Sequence, residues 1–538
     1  MEVEFVLLIL SLLFFVSIFA DKIGYKYGVP ALLLFLVVGM FFGSHGMTSL
    51  IGMSGVSIKI GTAEALSTMA MCIILFTGGM ETKLSDIKSV LAPGITLATL
   101  GVMLTCVITG VLIHFLFKWI SPIASSMSIW MALLMAATMS STDSASVFSV
   151  LRTNGIGLKH NLRPLLELES GANDPMAYVL TTTLIGVVVG MQAVSGAEEP
   201  VTGLPIIQTI VVQLVMGTVL GFALGQGLVM LMRRVKLGNE ALYPIMILTA
   251  CIFIFAITHY LQGNTYLAVY VGGLIIGNNK FTRKRQTRSF FSGLAWLSQL
   301  VMFLMLGLMV EPVELLKFSV WVPCMIVSIV MIFISRPLSV WLCMLPFNQF
   351  RQRDRLFLSW VGLKGAVPII FAIMCKAEGV PHADMLFNVV FLCTLISLLA
   401  QGTTLTQVAR KLKLDTPREQ DRSLEHFDMD LPDEIQSSVR EVEVTEETLE
   451  HGNTLRELNI PPKTLIIMVR RGEDFFVPTG SSTLELGDQL LVISDKDAEA
   501  TYQHMMDDAE EDALWRAEMR RRAHERIDKA TAWMRRKK

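Results

Sequence analysis

Apolar stretches of bilayer length, separated by short polar loops, follow one another from the start of the chain to about Leu414, after which the pattern turns polar. A helical crossing takes about 20 mainly apolar residues. On that basis about thirteen spans are expected, at 4–20, 29–45, 64–80, 90–117, 126–150, 164–190, 204–232, 242–261, 265–278, 289–310, 318–343, 356–375 and 384–408. Beyond them, residues 415–436 read as a charged linker, and short alternating or apolar runs follow at Ser438–Val444, Thr464–Arg470, Phe475–Pro478 and Gln489–Ser494. These have the character of strands. Thr454–Asn459 reads as helix and Arg471–Glu473 as a hairpin turn, while residues 499–538 alternate acids and bases as an exposed helix does. The fold class expected is an all-α polytopic membrane protein followed by a small α+β domain and a C-terminal helix. The divisions fall at 1–410, 411–436, 437–498 and 499–538.

Composition and charge sharpen this picture. With 52% hydrophobic and 17% charged residues, the chain is wrong for a soluble globule. Through Leu414, 27 Lys and Arg face 18 Asp and Glu, whereas the remainder carries 18 against 29. The loops after odd-numbered spans, with the stretch after the last span, hold 21 basic residues, and the opposite loops hold four. By the positive-inside rule the first set is cytoplasmic, which puts the N-terminus outside and the C-terminal domain inside. The expected location is a bacterial inner membrane. The acidic start (Glu2, Glu4) argues for a retained first helix over a cleaved signal. All seven cysteines fall in apolar stretches with no CxxC or Cys/His spacing, so neither a disulfide framework nor a zinc site is expected. Membrane lipid is the expected partner, and nucleic acid is not. The basic end of the tail, from Arg520 to Lys538, either faces solvent or touches anionic lipid.

The informative residues are the polar ones inside the spans. The sixth span carries Glu167, Glu169, Ser170, Asn173, Asp174 and Pro175. At ~1.5 Å per residue Asp174 lies roughly 15 Å from the helix start, near the middle of the hydrocarbon layer. An acid there costs about 2.5–3.5 kcal/mol on the insertion scale and marks a functional site. Ser170 and Asp174 share one helix face, with Glu169 and Asn173 on an adjacent stripe. Pro175 removes an amide hydrogen and frees the Gly171 carbonyl. Clustered oxygen ligands suit a hard monovalent cation, or a proton on the same carboxylate.

The fifth span is interrupted by the small and polar run Ser140–Ser146, which includes Thr142 and Asp143. Two readings stand: an unwound stretch whose Thr142 and Asp143 offer oxygens to the site and cap the returning half-helix, or a polar seam between packed helices. The twelfth span has Gly362, Lys364, Gly365 and Pro368, again a pattern for a break, with Lys364 placed to neutralise exposed carbonyl ends. Spans five and twelve are seven apart, so they run in opposite directions, as in inverted repeats with broken crossing helices. Arg336 in the eleventh span requires a partner, Glu169 or Glu167, because an unpaired buried charge is prohibitive.

These residues resemble the cation:proton antiporter-1 family of NhaP-type sodium or potassium/proton exchangers. The marks are Asn173-Asp174 in the sixth helix, Thr142-Asp143 in the fifth, Glu169 ahead of the pair, and the run from Gly362 to Val367, over about residues 4–408. The resemblance implies a homodimer of thirteen-helix subunits, alternating access, Asp174 as shared cation ligand and proton carrier, and electroneutral exchange. Ser144 stands where proline is common and Lys364 where arginine is usual, which puts bidentate pairing there in doubt. The C-terminal domain resembles the TrkA-C module in Ile460-Pro461-Pro462 and in Leu486 to Leu490. That implies dimerisation and admits a small regulatory ligand; no resident cofactor is expected. The tail favours potassium over sodium as cargo. The alternative is a cation channel gated by a TrkA-C-like domain, although Val269–Gly273 does not match a potassium filter. No His-Glu-x-x-His, Gly-x-Ser-x-Gly or Walker sequence points to an enzyme.

Overall fold

In a computed structural model the apolar stretches are helices. The structure describes residues 11–19, 31–43, 58–120, 127–193, 203–235, 237–281, 283–417, 439–444, 449, 452–456, 464–472 and 474–494. The chain divides into two units, Met1–Pro417 and Arg418–Lys538. The expected C-terminal helix lies outside the described residues.

In the first unit the helices are α1 (residues 11–19), α2 (Ala31–Phe42), α3 (Ile60–Glu81), α4 (Leu84–Lys118), α5 (Ile129–Thr138), α6 (Ser144–Thr153), α7 (Leu162–Ala193) and α8 (Gly203–Arg234). They continue as α9 (Leu242–Tyr260), α10 (Thr265–Asn278), α11 (Lys284–Leu308), α12 (Phe318–Met344), α13 (Gln352–Trp360), α14 (Val367–Ala377) and α15 (Ala383–Leu412). Among the described residues, eight helices are long and apolar enough to cross a membrane unaided, and four further apolar helices are shorter. The fifth and twelfth expected spans are half-helix pairs, α5/α6 and α13/α14, each interrupted by non-helical backbone.

Packing sorts the helices into two groups. In one, α10 lies against α3, α8 and α9, and α11 against α2 and α3. In the other, α5 packs on α4 and α7, and α15 on α12 and α14. The first group approaches closely because it uses small residues: a Cβ at Gly273 or Gly277 of α10 would strike the Phe76 or Met80 carbonyl of α3. In the second group, α4 and α12 each contain a π-type stretch, Leu97–Gly101 and Val330–Ser335. The latter runs into Arg336-Pro337, where the proline ring crowds the preceding turn and widening relieves the clash.

One feature of the first unit departs from the all-α expectation. After α6, strand β1 (Ile156–Leu158) pairs antiparallel with β2 (Asp415–Pro417), and Lys159 N donates to the Leu414 carbonyl at 3.0 Å. The first three residues of the expected 415–436 linker thus belong to the membrane unit.

The second unit is a four-stranded antiparallel sheet of order β3-β6-β4-β5, from β3 (Val439–Glu443), β4 (Thr464–Arg471), β5 (Asp474–Phe476) and β6 (Gln489–Ser494). Val444, Val469, Leu484 and Leu490 form its core. The expected helix at Thr454–Asn459 is absent from its described part. Thr454 bridges Thr483, and the Leu455 and Arg456 amides donate to the Ser482 and Gly480 carbonyls. Those tertiary bonds satisfy the amides more locally fixed than a single short helical turn would.

Arg471 anchors the sheet to the loop before β6. Its Nε and Nη2 bind the two oxygens of buried Asp488 at 2.9 and 2.7 Å, and Nη1 binds Glu485 at 2.6 Å. Burial works to raise the Asp488 carboxyl, but the Arg471 bonds, the Glu485 amide and the guanidinium charge outweigh it and hold the carboxyl below the usual carboxylate range. Because the folded value is depressed, the stabilisation is complete above the unfolded carboxylate value of about 3.9 and is lost as pH falls through the folded one. Arg471→Ala is expected to destabilise this domain by about 2 kcal/mol, since it strands a buried carboxylate. Hydrogen exchange of β6 amides in the full chain measures this, and protection unchanged by the substitution above pH 5 would refute it.

Candidate cation site

The two helix breaks cross and are stitched together. In the fifth span α5 ends at Thr138 and α6 begins at Ser144; in the twelfth, α13 ends at Trp360 and α14 begins at Val367. Between them the Asp143 amide donates to the Leu363 carbonyl at 2.8 Å, a main-chain bond that joins break to break. The Lys364 ammonium donates to the Ser141 carbonyl at 2.8 Å. The approach requires glycine at 365, because a Cβ there would lie 2.5 Å from Asp143 Oδ2. Of the two readings for Ser140–Ser146, the structure has the unwound stretch.

Each break consumes its own polar residues. Asp143 caps α6: Oδ1 accepts from the Ser146 amide at 3.2 Å and Oδ2 from the Ser146 hydroxyl at 2.5 Å. In the twelfth span the Lys364 amide donates to Ser397 Oγ at 3.0 Å, Ser397 donates to Gln401 Oε1, and Gln401 Nε2 donates to the Trp360 carbonyl at 2.8 Å. Backbone groups released by unwinding thus find partners inside the protein, the condition for irregular backbone at membrane depth.

Helix α7 lays its polar stripe against the fifth-span break. Ser170 Oγ accepts from the Ser144 amide and donates to the Thr142 carbonyl, both at 2.9 Å. Asn173 Nδ2 donates to Thr142 Oγ1 at 2.5 Å, while Asn173 Oδ1 is buried without a hydrogen-bond partner among the described residues. The next residue, Asp174, is half-buried, beside the Ser141 side chain and within electrostatic reach of Asp143 and Lys364. Asp174, Asn173, Ser170, Thr142, Asp143 and Lys364 are therefore one cluster, with Ser141 added to it.

On the neighbouring stripe, Glu169 Oε1 lies 2.6 Å from Arg336 Nη2, and both side chains are buried. The contact is charge pairing off the hydrogen-bond direction, and neither Glu169 oxygen has an aligned donor. Arg336 also donates to the Leu358 carbonyl and lies along Gly362, so it packs on the twelfth-span break. Glu167, the other partner considered, pairs instead with Arg163 one turn away.

Two contacts were not legible in the sequence. Asn264, at the start of α10, donates through Nδ2 to the Pro175 carbonyl at 2.7 Å. The Tyr270 ring, also on α10, lies over Gly171, with its buried hydroxyl unpartnered among the described residues. Both join α7 to a helix of the other packing group. An asparagine or tyrosine in an apolar span gives no sign of which neighbour it meets.

A family model described as "Sodium/hydrogen exchanger, transmembrane" matches residues 8–411, and one described as "TrkA-C domain" matches residues 439–506. The chain is 36% identical over 498 residues to the K(+)/H(+) antiporter NhaP of Alkalimonas amylolytica, covering 91% of this chain and 81% of the relative. It is 36% identical over 488 residues to the K(+)/H(+) antiporter NhaP2 of Shewanella sp. strain ANA-3, covering 90% and 80%. The fold is similar to that of the sodium proton antiporter MjNhaP1 from Methanocaldococcus jannaschii, with a TM-score of 0.62 at 20% identity, over 77% of this chain and 99% of that one.

Removing one member of the buried pair strands the other. Glu169→Gln, or Arg336→Met alone, is expected to cost about 3–5 kcal/mol, while Glu169→Met combined with Arg336→Met recovers most of it. Thermal unfolding in detergent reads this directly. A double variant as unstable as the sum of the singles would contradict the pairing.

Proposed function

The chain belongs to the sodium/hydrogen exchanger family and is a monovalent cation/proton antiporter, not a channel, and we propose that both cargoes are carried in turn by Asp174. The observation that supports this is the composition of the cluster at the crossed breaks. Glu169, Asp143 and Asp174 supply three negative charges when ionised, and Arg336 and Lys364 supply two positive ones. The sum is −1. One proton or one monovalent cation on Asp174 brings it to zero.

That arithmetic makes exchange obligatory in outline. Moving a net charge through a low-dielectric interior is costly, so the empty −1 cluster is held back while either neutral form passes. Proton and cation occupy the same carboxylate and exclude one another. Both loaded forms carry equal charge, which supports one-for-one electroneutral exchange. Around Asp174 the Ser141 hydroxyl, the Thr142 oxygens and Asn173 Oδ1 are the further donors available to a cation that binds through oxygen. Asp143 is spent on capping α6 and acts through its charge.

Access alternates, in this reading, by displacement of the group holding α5–α7 and α12–α15 against the group around α3 and α10. The Asn264–Pro175 bond and the Tyr270–Gly171 contact lie on that boundary and must remake on each cycle. The cargo is assigned as potassium, with sodium second, because the two relatives of 36% identity are named K(+)/H(+) antiporters and the chain carries a TrkA-C domain. Loop charge supports an external N-terminus, a cytoplasmic C-terminal unit and a plasma-membrane location, with proton entry exchanged for cytoplasmic cation. The functional unit is assigned as a homodimer, regulated through the C-terminal domain.

Asp174→Asn is expected to abolish potassium-driven proton flux in reconstituted vesicles while leaving the unfolding midpoint close to wild type; substantial retained exchange would reject the assignment. Competition also fixes a pH signature. Where Asp174 is largely protonated, lowering the pH by one unit should raise the apparent KM for potassium about tenfold, by mass action, with the maximal rate little changed. A KM independent of pH across the active range would mean separate sites for the two ions.

A further inference from the structure

A second site lies in the membrane unit, away from Asp174. Three segments enclose a cavity of about 570 Å³: the turn between β1 and α7 with Lys159 and His160, the start of α13 with Arg351, Arg353 and Asp354, and the end of α15 with Lys413. Five basic side chains therefore face one concavity, and its single acid is already committed. Asp354 is fully buried, with Oδ1 2.9 Å from His160 Nδ1 and Oδ2 accepting from the Arg351 amide at 2.7 Å. Lys159 donates to the Lys413 carbonyl at 3.3 Å, a neutral partner. No carboxylate pairs with Lys159, Arg351, Arg353 or Lys413 among the described residues. Asp415 stands opposite Leu158 in the ribbon and does not line the cavity.

Basic loops obeying the positive-inside rule spread their charges into water, where repulsion is screened. Here the chain brings them together from segments nearly 200 residues apart and holds them. The backbone is specialised at the same place. His160, Asn161 and Lys413 adopt left-handed φ of 57°, 55° and 60°, three of the six non-glycine residues that do so among the described residues. A concavity of this volume is in the range for a small-molecule site. Convergent guanidinium and ammonium groups with no carboxylate to neutralise them select an anion with several oxygens.

We propose that this cavity binds a phosphate-bearing anion, taken from a soluble phosphate compound or from an anionic lipid headgroup, with Arg351, Arg353, Lys159 and Lys413 contacting the phosphoryl oxygens. Occupancy would bridge the two strands at one end of the β1–β2 ribbon, where Lys159 follows β1 and Lys413 and Leu414 precede β2. The ribbon joins the hairpin between α6 and α7, the two helices around Asp174, to the chain leading into the C-terminal unit. The ligand would therefore fasten a backbone pairing that ties that chain to the hairpin between α6 and α7.

The test uses the full chain and reads binding, so its outcome is independent of whether Asp174 carries the ions. Unfolding midpoints are measured with inorganic pyrophosphate against sodium chloride at matched ionic strength, in phosphatidylcholine nanodiscs and in nanodiscs containing phosphatidylglycerol. A bound ligand raises the midpoint saturably. Arg351→Gln with Arg353→Gln should weaken the response about tenfold or more per arginine. Lys83→Gln with Lys88→Gln, the same charge loss at the exposed start of α4, should leave it intact. A response to pyrophosphate in phosphatidylcholine identifies a soluble ligand; a response confined to phosphatidylglycerol identifies a headgroup. Absence of both in the wild-type chain overturns the proposal without recourse to any variant. So does equal weakening by the control pair. If the arginine pair does not fold, Lys413→Gln gives the same comparison.

Discussion

The arrangement of this membrane unit depends on one electrostatic constraint: ionised groups at membrane depth must nearly cancel. Five charged side chains meet around the crossed breaks, and four of them balance in the resting count. Glu169 and Arg336 are fixed on each other, 2.6 Å apart and buried. Lys364 is held on a carbonyl, not on a carboxylate, so its charge acts on Glu169 and Asp174 without locking either. A lysine clamped directly on Asp174 would fill the site permanently. Held on the Ser141 carbonyl, it lowers the cost of the carboxylate without binding it directly.

Holding charges in such positions takes rigid backbone where helices would otherwise run through. The breaks supply it, and they are closed by bonds that come from elsewhere in the chain: Leu363 for the Asp143 amide, Ser170 for the Ser144 amide, Ser397 for the Lys364 amide. The unwound stretches are thus satisfied from other segments, and the helices of this group cannot be loosened singly. The contacts to the other group are of another kind. One side-chain bond from Asn264 and one ring over Gly171 reach across from α10 near the polar cluster at the breaks. Such a boundary suits sliding, because little has to be broken to move along it.

The β1–β2 ribbon gives the C-terminal unit a physical route to this machinery. It is short, but it lies in the turn that joins α6, whose first residues surround the site, to α7, which carries Asp174. The basic cavity beside it is built from the residues flanking both strands, so charge and mechanics converge at one place.

Much of this was written in the hydrophobic pattern. Polar residues in an apolar span are expensive enough to be conspicuous, which is why Asp174, Asn173, Glu169, Arg336 and Lys364 stand out in the sequence. Glycine, proline and serine runs likewise mark the two breaks, because they remove helix propensity locally. What the sequence left open was pairing. Glu169 and Glu167 were equal candidates for Arg336, and only packing put Glu167 beside Arg163. Asp143 is expected both to lend oxygen to the site and to cap the returning half-helix, and the cap is formed on the Ser146 amide. Asn264, Ser397 and the strand at 156–158 had no local signature, since their roles are defined by residues far along the chain. Burial cost is a property of one residue and its neighbours in sequence, so it can be read from the chain. Partner choice is a property of two segments brought together, and the tertiary structure alone decides it.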